Sequence, residues 1–425
     1  MTISEKKQST HFSGWMTLAG VMLAYGGICG DVTYAYGVFL PSFNETFGWH
    51  RSVLSGPYTL FLVLSGLLGP LVGWTVARFG ARKNIAAGNL LAVAGLIGMS
   101  QVQSVWHVYL FFGVLGGMAL AFAEFLSLTT VINHWFIQKR SLAMGMLLAS
   151  GGASGFLMPP LLITLISSLG WRWTLVCLAA IHLLAAVLLA GLLIRNTPEE
   201  EGQTPDGLVG PDHPDSTGVL KKSVVYSTIV DWSARDALRT KALWILLLLF
   251  SALLFAVNML TTHQVVYLRD MQHSPMVSAT ALGLMLGVSI LGRLVSGVLG
   301  MRIGSRYLAA VFFLCMGLGI VSLMNAKSIL FIYLYSVFTG LGFGGMIVLL
   351  PNVMGAYFGR THFSRIVGWT TPVVTLASAI SPIFAGFLYD VTGSYFIPFT
   401  VTAALLFGCC ILSLLMHPPR LPVIV

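Results

Sequence analysis

Charged residues are scarce in this sequence. Only 9% of its 425 residues are Asp, Glu, Lys or Arg, against about 25% in an average soluble domain, whereas 56% are hydrophobic. So few charges cannot cover a water-exposed protein surface. The composition therefore excludes a soluble enzyme, a nucleic-acid-binding module and a disordered chain. It indicates a helical membrane protein with several spans.

Cysteine is also rare, and a nucleotide-binding loop is missing. The five cysteines all lie inside apolar stretches: Cys29, Cys177, Cys315, Cys409 and Cys410. Their odd number and their spacing suit neither a disulfide framework nor a metal site. No G-x4-G-K-[ST] pattern is present, which argues against ATP as the energy source. We expect a protein that is not an enzyme and needs no cofactor or metal.

Long apolar segments recur along the chain. A membrane helix needs about 20 mostly apolar residues to cross about 30 Å of hydrocarbon, and these runs do not alternate as barrel strands do. Twelve segments qualify: 14–42, 53–77, 84–102, 105–134, 140–168, 172–195, 242–268, 277–300, 307–325, 328–358, 364–389 and 394–416. The predicted fold is an all-α integral membrane protein with twelve transmembrane helices.

A polar segment separates the sixth span from the seventh. It contains Glu199, Glu200, Glu201 and several prolines and glycines, as expected of a solvated linker. We predict a tail over 1–13, a six-helix bundle over 14–195, a linker over 196–241, a second six-helix bundle over 242–416 and a tail over 417–425. Residues 231–238 of the linker are a candidate interfacial helix.

Basic residues predict the orientation. With the N-terminus in the cytoplasm, most of the 23 Lys and Arg residues lie in cytoplasmic segments, as the positive-inside rule requires. The predicted outer loops hold only Arg51, Arg172, Arg269 and Lys327. We predict a multi-pass protein of the cell (inner) membrane with both termini cytoplasmic. The net charge of +9 then reflects topology and not a nucleic-acid partner.

One loop pattern occurs twice. Residues 73–82 and 297–306 both read G-x4-R-x-G-x-R, one copy after the second span and one after the eighth. Two related six-span bundles with a midplane site between them are a common architecture of secondary transporters. The candidate gating residues are Gly73, Arg78, Gly80, Arg82, Lys83, Arg302, Gly304 and Arg306.

These loops resemble the best-known signature of the major facilitator superfamily, although Ala77 and Met301 stand where the family usually has Asp. Within the superfamily the chain is similar to the monocarboxylate transporters and the related oxalate/formate antiporters. Four places carry this similarity: residues 36–39 with 47–52, residues 135–155, residues 237–244, and Gly292-Arg293. The resemblance implies pseudo-symmetric bundles and a membrane-embedded arginine at position 293.

The sequence departs from these relatives at three places, one of them near Tyr34, where animal monocarboxylate carriers have a basic residue in the first span. Ser289 stands where animal monocarboxylate carriers have an Asp one turn before the arginine, and residues 366–389 lack the Lys of oxalate exchangers. One buried cation instead of two favours a monoanion over a dianion as the cargo.

Three charged residues lie at membrane depth inside predicted spans: Asp31, Glu124 and Arg293. Each costs about 2.5–3.5 kcal/mol on insertion scales, so each needs a reason. Arg293 offers a permanently charged fork that fits a carboxylate; the alternatives are a snorkelling side chain or a fixed salt bridge. Asp31 and Glu124 are candidate proton carriers, or else partners of Arg293 or helix contacts. Asp270 and Asp390 lie near outer helix ends, where we expect solvation.

Several polar side chains project from apolar helices. Tyr34, Asn258 and His263 are candidate substrate contacts, although polar residues in a bundle also join helices to each other. His263 can titrate near neutrality.

These features predict a secondary active transporter that carries a small monocarboxylate, such as lactate or pyruvate, together with a proton by alternating access. Its expected partners are that carboxylate, the proton and the bilayer. The alternatives are a carrier or exporter of a larger organic anion, vitamin or drug, an anion exchanger, and a non-transporting membrane sensor.

Overall fold

The protein is a bundle of long helices. A computed structural model describes residues 12–123, 125–137, 139–207, 228, 232–300, 302–359 and 363–419, which contain helices and turns but no β-strand. The twelve long helices are α1 Gly14–Phe47, α2 Arg51–Leu67 with Gly69–Phe79, α3 Ala81–Ser100, α4 Val105–Trp135, α5 140–169, α6 171–193, α7 Lys241–Asp270, α8 Pro275–Leu299, α9 Ser305–Met324, α10 Ile329–Phe358, α11 Phe363–Thr392 and α12 Phe396–Leu414.

Most of these helices are suited to a membrane by length and composition. Nine described helical stretches, or ten when the two segments of α2 count as one span, are long and apolar enough to cross. One stretch, Leu142–Leu193, has 52 residues, and it breaks at Gly170, whose φ is +75°. It therefore supplies two crossings, α5 and α6. The remaining helix, α3, has 20 residues and reaches about 30 Å, but Arg82 and Lys83 lower its apolarity.

The twelve helices match the predicted spans. The largest difference is at the end of α1, predicted at residue 42 and observed at Phe47. Short connections join successive helices within each half, so their directions alternate there. The ion pair between Arg51 at the start of α2 and Asp270 at the end of α7 places these two ends side by side, so α7 runs in the same direction as α1. We call the end where α1 begins and α12 ends the terminal end, and the opposite end the distal end.

The helices form two halves, α1–α6 and α7–α12. Glycines let the helices of the second half approach closely. A Cβ added at Gly344 of α10 would lie 1.9 Å from the carbonyl oxygen of Ser289 on α8, and one at Gly340 would lie 2.4 Å from that of Met285. The α8–α10 contact is therefore close to backbone against backbone.

We expect Gly344→Ala to lower the stability of the folded protein by about 1–3 kcal/mol, because the added methyl overpacks this contact. Thermal unfolding in detergent measures the change. Gly408→Ala is the matched control, since a Cβ at Gly408 of α12 meets nothing within 4 Å. Equal unfolding temperatures for the two variants would contradict the close contact.

Three helices of the first half contain a π-helical stretch: Ile28–Tyr34 in α1, Tyr109–Gly116 in α4 and Leu183–Leu189 in α6. Such stretches occur often at functional sites, because the extra residue redirects neighbouring side chains. Two of them bear on the candidate site.

The halves meet along three helix pairs: α1 with α7, α2 with α11, and α5 with α8. A Cβ at Gly37 of α1 would lie 2.0 Å from the Thr261 carbonyl of α7. At Leu68 the two segments of α2 are bent by 52°, and the second segment packs on α3 and α4 of its own half.

Part of the predicted linker packs against the first half. The Asp206 carboxylate accepts hydrogen bonds from the backbone N–H groups of Ile137 and Lys139 at 2.8 and 3.3 Å. Residues 208–227 and 229–231 lie outside the described residues. The short helix Ala234–Leu238 falls within the predicted segment 231–238 and starts at Ser233, whose hydroxyl accepts from the Asp236 N–H.

Candidate functional site

Arg293 lies on α8 at the contact between the halves. Its side chain is half-buried, and its Nη1 donates to the carbonyl oxygen of Leu148 on α5. Its Nε is buried and has no hydrogen-bond partner in the described chain. The guanidinium therefore joins the halves and keeps donor capacity, about 9 Å from the terminal end of α8.

Tyr34 reaches the same helix contact at another level. A Cβ at Gly155 of α5 would lie 3.0 Å from Cδ2 of Tyr34 and 2.9 Å from Cβ of Leu286 on α8. Leu286 precedes Arg293 by two helical turns, about 10 Å along α8. Tyr34 and Arg293 thus share the α5–α8 contact but do not form one compact cluster.

Asn258 lies on α7 and is half-buried. Its carbonyl oxygen accepts a hydrogen bond from the Thr262 hydroxyl at 2.7 Å. None of the contacts found in the described residues joins Asn258 to Arg293. Glu124, the second predicted proton carrier, lies outside the described residues.

Asp31 is paired with a histidine. Its Oδ2 lies 2.8 Å from Nδ1 of His182 on α6, and the side chains are 6% and 0% exposed. In this conformation the partner of Asp31 is therefore His182, and not Arg293, which was one interpretation of the sequence. His182 was not predicted as a site residue, because one histidine in an apolar helix gives no indication of its partner.

His263 joins three helices near the distal end. Its Nδ1 lies 2.8 Å from the Tyr395 hydroxyl, and its Nε2 lies 3.1 Å from the Ser55 hydroxyl and 2.9 Å from the Pro382 carbonyl. The ring is fully buried. All of these contacts are to protein groups, and the one to Ser55 on α2 crosses between the halves.

Arg51 makes a two-pronged ion pair across the halves. Its Nη1 and Nη2 donate to the two carboxylate oxygens of Asp270 at the end of α7, both at 2.7 Å. Its guanidinium carbon also lies 3.7 Å from the centre of the Tyr389 ring on α11. A bidentate pair that stacks on an aromatic ring is among the stronger side-chain arrangements.

Asp390 of α11 caps the first turn of α2. Its carboxylate accepts from the backbone N–H groups of Arg51 and Ser52 at 3.2 and 2.9 Å, and from the Ser52 hydroxyl. An anion is favoured at a helix N-terminus because the free N–H groups carry partial positive charge. Asp270 and Asp390 are exposed to solvent, as expected from their places near helix ends. Both carboxylates also bond to groups of the other half, which the sequence did not predict.

A second, more exposed pair lies nearby: Nη2 of Arg269 on α7 is 2.9 Å from Oε1 of Glu45 on α1, with side chains 30% and 61% exposed. We call the two ion pairs and the Asp390 cap the distal network. This network holds the ends of α1 and α2 against the ends of α7 and α11.

The first candidate gating loop braces α3 against α6. Gly80 has φ +86°, which favours glycine. The Asn196 side chain accepts from the Arg82 backbone N–H at 2.8 Å, and Nη2 of Arg82 donates to the Gly191 carbonyl at 2.7 Å.

The other residues of this loop make looser contacts. Arg78 is exposed and lies 5.3 Å from the centre of the Trp74 ring, and Lys83 is exposed. A Cβ at Gly73 would meet only Leu126, at an ordinary 3.7 Å.

The second loop copy is less constrained. Arg302 is exposed, and Gly304 has φ −58°, so the backbone does not require glycine there. Arg306 lies 3.2 Å from His417 Nε2 and donates to the Tyr307 hydroxyl at 2.7 Å. Among the described residues of the two loops, no hydrogen bond or ring contact found for a side chain joins the two halves.

Comparison with known proteins agrees with this architecture. The family model described as Major Facilitator Superfamily matches residues 17–325 and 288–424. Monocarboxylate transporter 2 of Mus musculus is 28% identical over 404 residues, covering 90% of this chain and 79% of that protein. Monocarboxylate transporter 13 of Rattus norvegicus is 24% identical over 409 residues, covering 95% and 89%.

A solved structure shows the same fold. It is a bacterial homolog of the human lysosomal transporter Spinster, in an inward-facing and occupied conformation, with a TM-score of 0.71 at 16% identity over 96% of this chain and 97% of that one. The predicted twelve-helix class is confirmed. The chain belongs to the Major Facilitator Superfamily and is a membrane transporter related to the monocarboxylate transporters.

Proposed function

We propose that the protein carries a small monocarboxylate, of the lactate or pyruvate kind, together with a proton. The observation that carries this proposal is Arg293, a half-buried permanent cation at the contact between the halves whose Nε has no partner in the described chain. A carboxylate bound there would replace the Leu148 carbonyl with an anionic acceptor, which makes a stronger hydrogen bond. The names of the related transporters support the same cargo class.

Tyr34 and Asn258 are further candidate substrate contacts. His263 is a candidate that must first leave its contacts with Tyr395, Ser55 and Pro382. Asp31 and Glu124 are the candidate proton carriers. A proton taken up with the carboxylate would leave the loaded carrier without excess charge, so that it reorients at lower electrostatic cost.

The contacts between the halves support alternating access as the mechanism. With both termini in the cytoplasm, the distal end faces outside, and the distal network closes that side. Opening it requires separation of Arg51 from Asp270 and of Asp390 from α2. In this scheme the bundles 14–195 and 242–416 rock against each other, and the two gating loops close the opposite side.

Uptake of radiolabelled lactate into proteoliposomes tests the proposal. We expect accumulation when the inside is made alkaline, because an inward proton gradient then drives the cargo, and no accumulation without that gradient. A pyruvate and formate series measures the size limit of the cargo. Absence of gradient-driven uptake for every monocarboxylate in the series would refute the proposed function.

A further inference from the structure

A buried acid–base pair lies inside the first half, on the side of α1 away from the second half. His182 Nδ1 and Asp31 Oδ2 are 2.8 Å apart. The other ring nitrogen, Nε2, is buried and has no hydrogen-bond partner among the residues described. One imidazole nitrogen is therefore paired with the carboxylate, and the other can bind a proton.

A small cavity adjoins the pair. It has a volume of about 20 Å³ and is lined by Asp31, Tyr36 and otherwise apolar residues of α1, α3, α4 and α6. This is room for about one water molecule. The Tyr36 hydroxyl donates to the Leu54 carbonyl at 2.5 Å, so Asp31 is the polar group in the lining that is left to handle a proton.

The other titratable groups of the surrounding helices are few. Those nearest in sequence to the contacting residues are Cys29, Tyr34 and Tyr36 on α1, His107 and Tyr109 on α4, and Cys177 on α6. Among the charged residues of α3, α5 and α6, Arg82, Lys83 and Arg140 are ten or more positions from the residues that contact α1 at this level. Ten positions are about 15 Å along a helix. Arg172 is closer, three positions from Leu175 of the cavity lining, and its guanidinium donates to the Ser100 and Val102 carbonyls at 2.8 Å.

The backbone around the pair is irregular on both sides. Asp31 lies within the π-helical stretch Ile28–Tyr34, and the stretch Leu183–Leu189 starts directly after His182. A Cβ at Gly27 would lie 3.1 Å from the His182 ring. The ring is therefore held against α1 by close packing at the two places where the helices depart from regular geometry.

We propose that Asp31 and His182 form one shared proton-binding site, and that this site couples proton movement to the carboxylate at Arg293 without touching the carboxylate. The inference rests on the proposed function for its cargo. An ionised Asp31 beside a neutral imidazole has a net charge of −1. One added proton, held on either Oδ2 or a ring nitrogen, makes the pair neutral.

The coupling follows from the summed charge of the two sites. The empty, unprotonated carrier sums to zero, because Arg293 is positive and the pair is negative. The loaded, protonated carrier also sums to zero. Carboxylate without a proton leaves −1, and a proton without carboxylate leaves +1; both states are costly inside a membrane. Only the two neutral states reorient readily, which is one-to-one symport.

The two sites are separated along α5. Arg293 contacts Leu148, whereas Ser154 packs against Gly30, the neighbour of Asp31. Six residues of helix separate these levels, about 9 Å. Net charge acts over such a distance without any contact between the proton and the cargo.

The test compares two transport assays in proteoliposomes with labelled lactate. Gradient-driven accumulation requires proton coupling and return of the empty carrier; counterflow at equal pH requires neither. We expect Asp31→Asn to lose accumulation by about tenfold or more while counterflow stays near wild type. We expect His182→Gln to move the pH of half-maximal accumulation by about one unit or more, with His107→Gln as the control that leaves it in place.

A second measurement needs no cargo. Proton uptake by the purified, substrate-free carrier is titrated for wild type, Asp31→Asn, His182→Gln and the double variant. A shared site requires non-additive curves, because interacting groups titrate as a unit. If wild type fails to accumulate lactate, the proposed function fails, and this titration still decides the shared site.

The contrary results are distinct. Full accumulation by Asp31→Asn, an unmoved pH profile in His182→Gln, or additive titration curves would overturn the shared site. A variant that loses both counterflow and accumulation would overturn it too, because the pair would then be needed for reorientation of the loaded carrier and not for proton coupling alone. If Asp31→Asn does not fold, the reversed pair Asp31→His/His182→Asp replaces it: retained accumulation supports the site, and lost accumulation with intact counterflow overturns it.

Discussion

Replacement of Arg293 by Ala is expected to reduce carboxylate uptake by about 30-fold or more. Removal of one partner of a buried charge pair costs about 2–5 kcal/mol, and each 1.4 kcal/mol is a factor of about ten. The variant also loses the bond to the Leu148 carbonyl. Initial rates of lactate uptake in proteoliposomes, measured over a range of concentrations, give the loss.

Two further variants make this result specific. Arg293→Lys keeps the charge but loses the planar fork, so its uptake should fall between wild type and Arg293→Ala. Arg235→Ala removes an exposed arginine on the short helix Ala234–Leu238 and should leave uptake unchanged. If Arg293→Ala inserts normally and keeps wild-type kinetics, Arg293 does not bind the cargo.

The second large effect concerns the distal network. Asp270→Arg places two guanidinium groups where a bidentate pair now closes the structure, so we expect the distal end to open. A cysteine at Leu40, which is buried and lines a cavity of about 10 Å³ beside Arg51 and His263, reports the opening through its reaction with a membrane-impermeant maleimide. The five native cysteines are replaced beforehand.

We expect the labelling rate to rise by about tenfold, equivalent to about 1.4 kcal/mol. The swapped variant Arg51→Asp/Asp270→Arg restores opposite charges and should return the rate toward that of the parent. Glu45→Arg, at the more exposed pair, is the matched control and should change the rate little. If Asp270→Arg leaves the labelling rate unchanged, the Arg51–Asp270 pair does not hold the distal end closed.

The fold follows from the sequence because membrane spans depend on length and apolarity, which are local properties. The twelve segments and the Gly170 break between α5 and α6 need no knowledge of their neighbours. The site is different. Arg293 and Asp31 can each be recognised from the sequence without their partners, because a charge in an apolar run is anomalous wherever it lies.

Their partners cannot be found in the same way. His182 is 151 residues from Asp31, and Asp390 is 338 residues from Ser52. These pairs depend on how helices pack across and within the halves, which one sequence does not state. His263 shows the same limit: its polarity suggests a cargo contact, but α2 and α11 place Ser55 and Pro382 around it.

The short distal connections have a practical consequence. They comprise residues 48–50, 101–104, Gly170, 271–274, 325–328 and 393–395. Such short loops expose few residues that a protease could cleave or an antibody could bind on their own. A binder raised against this surface must instead recognise both halves side by side, as the distal network holds them. It would then bind one state of the transport cycle and arrest the carrier there.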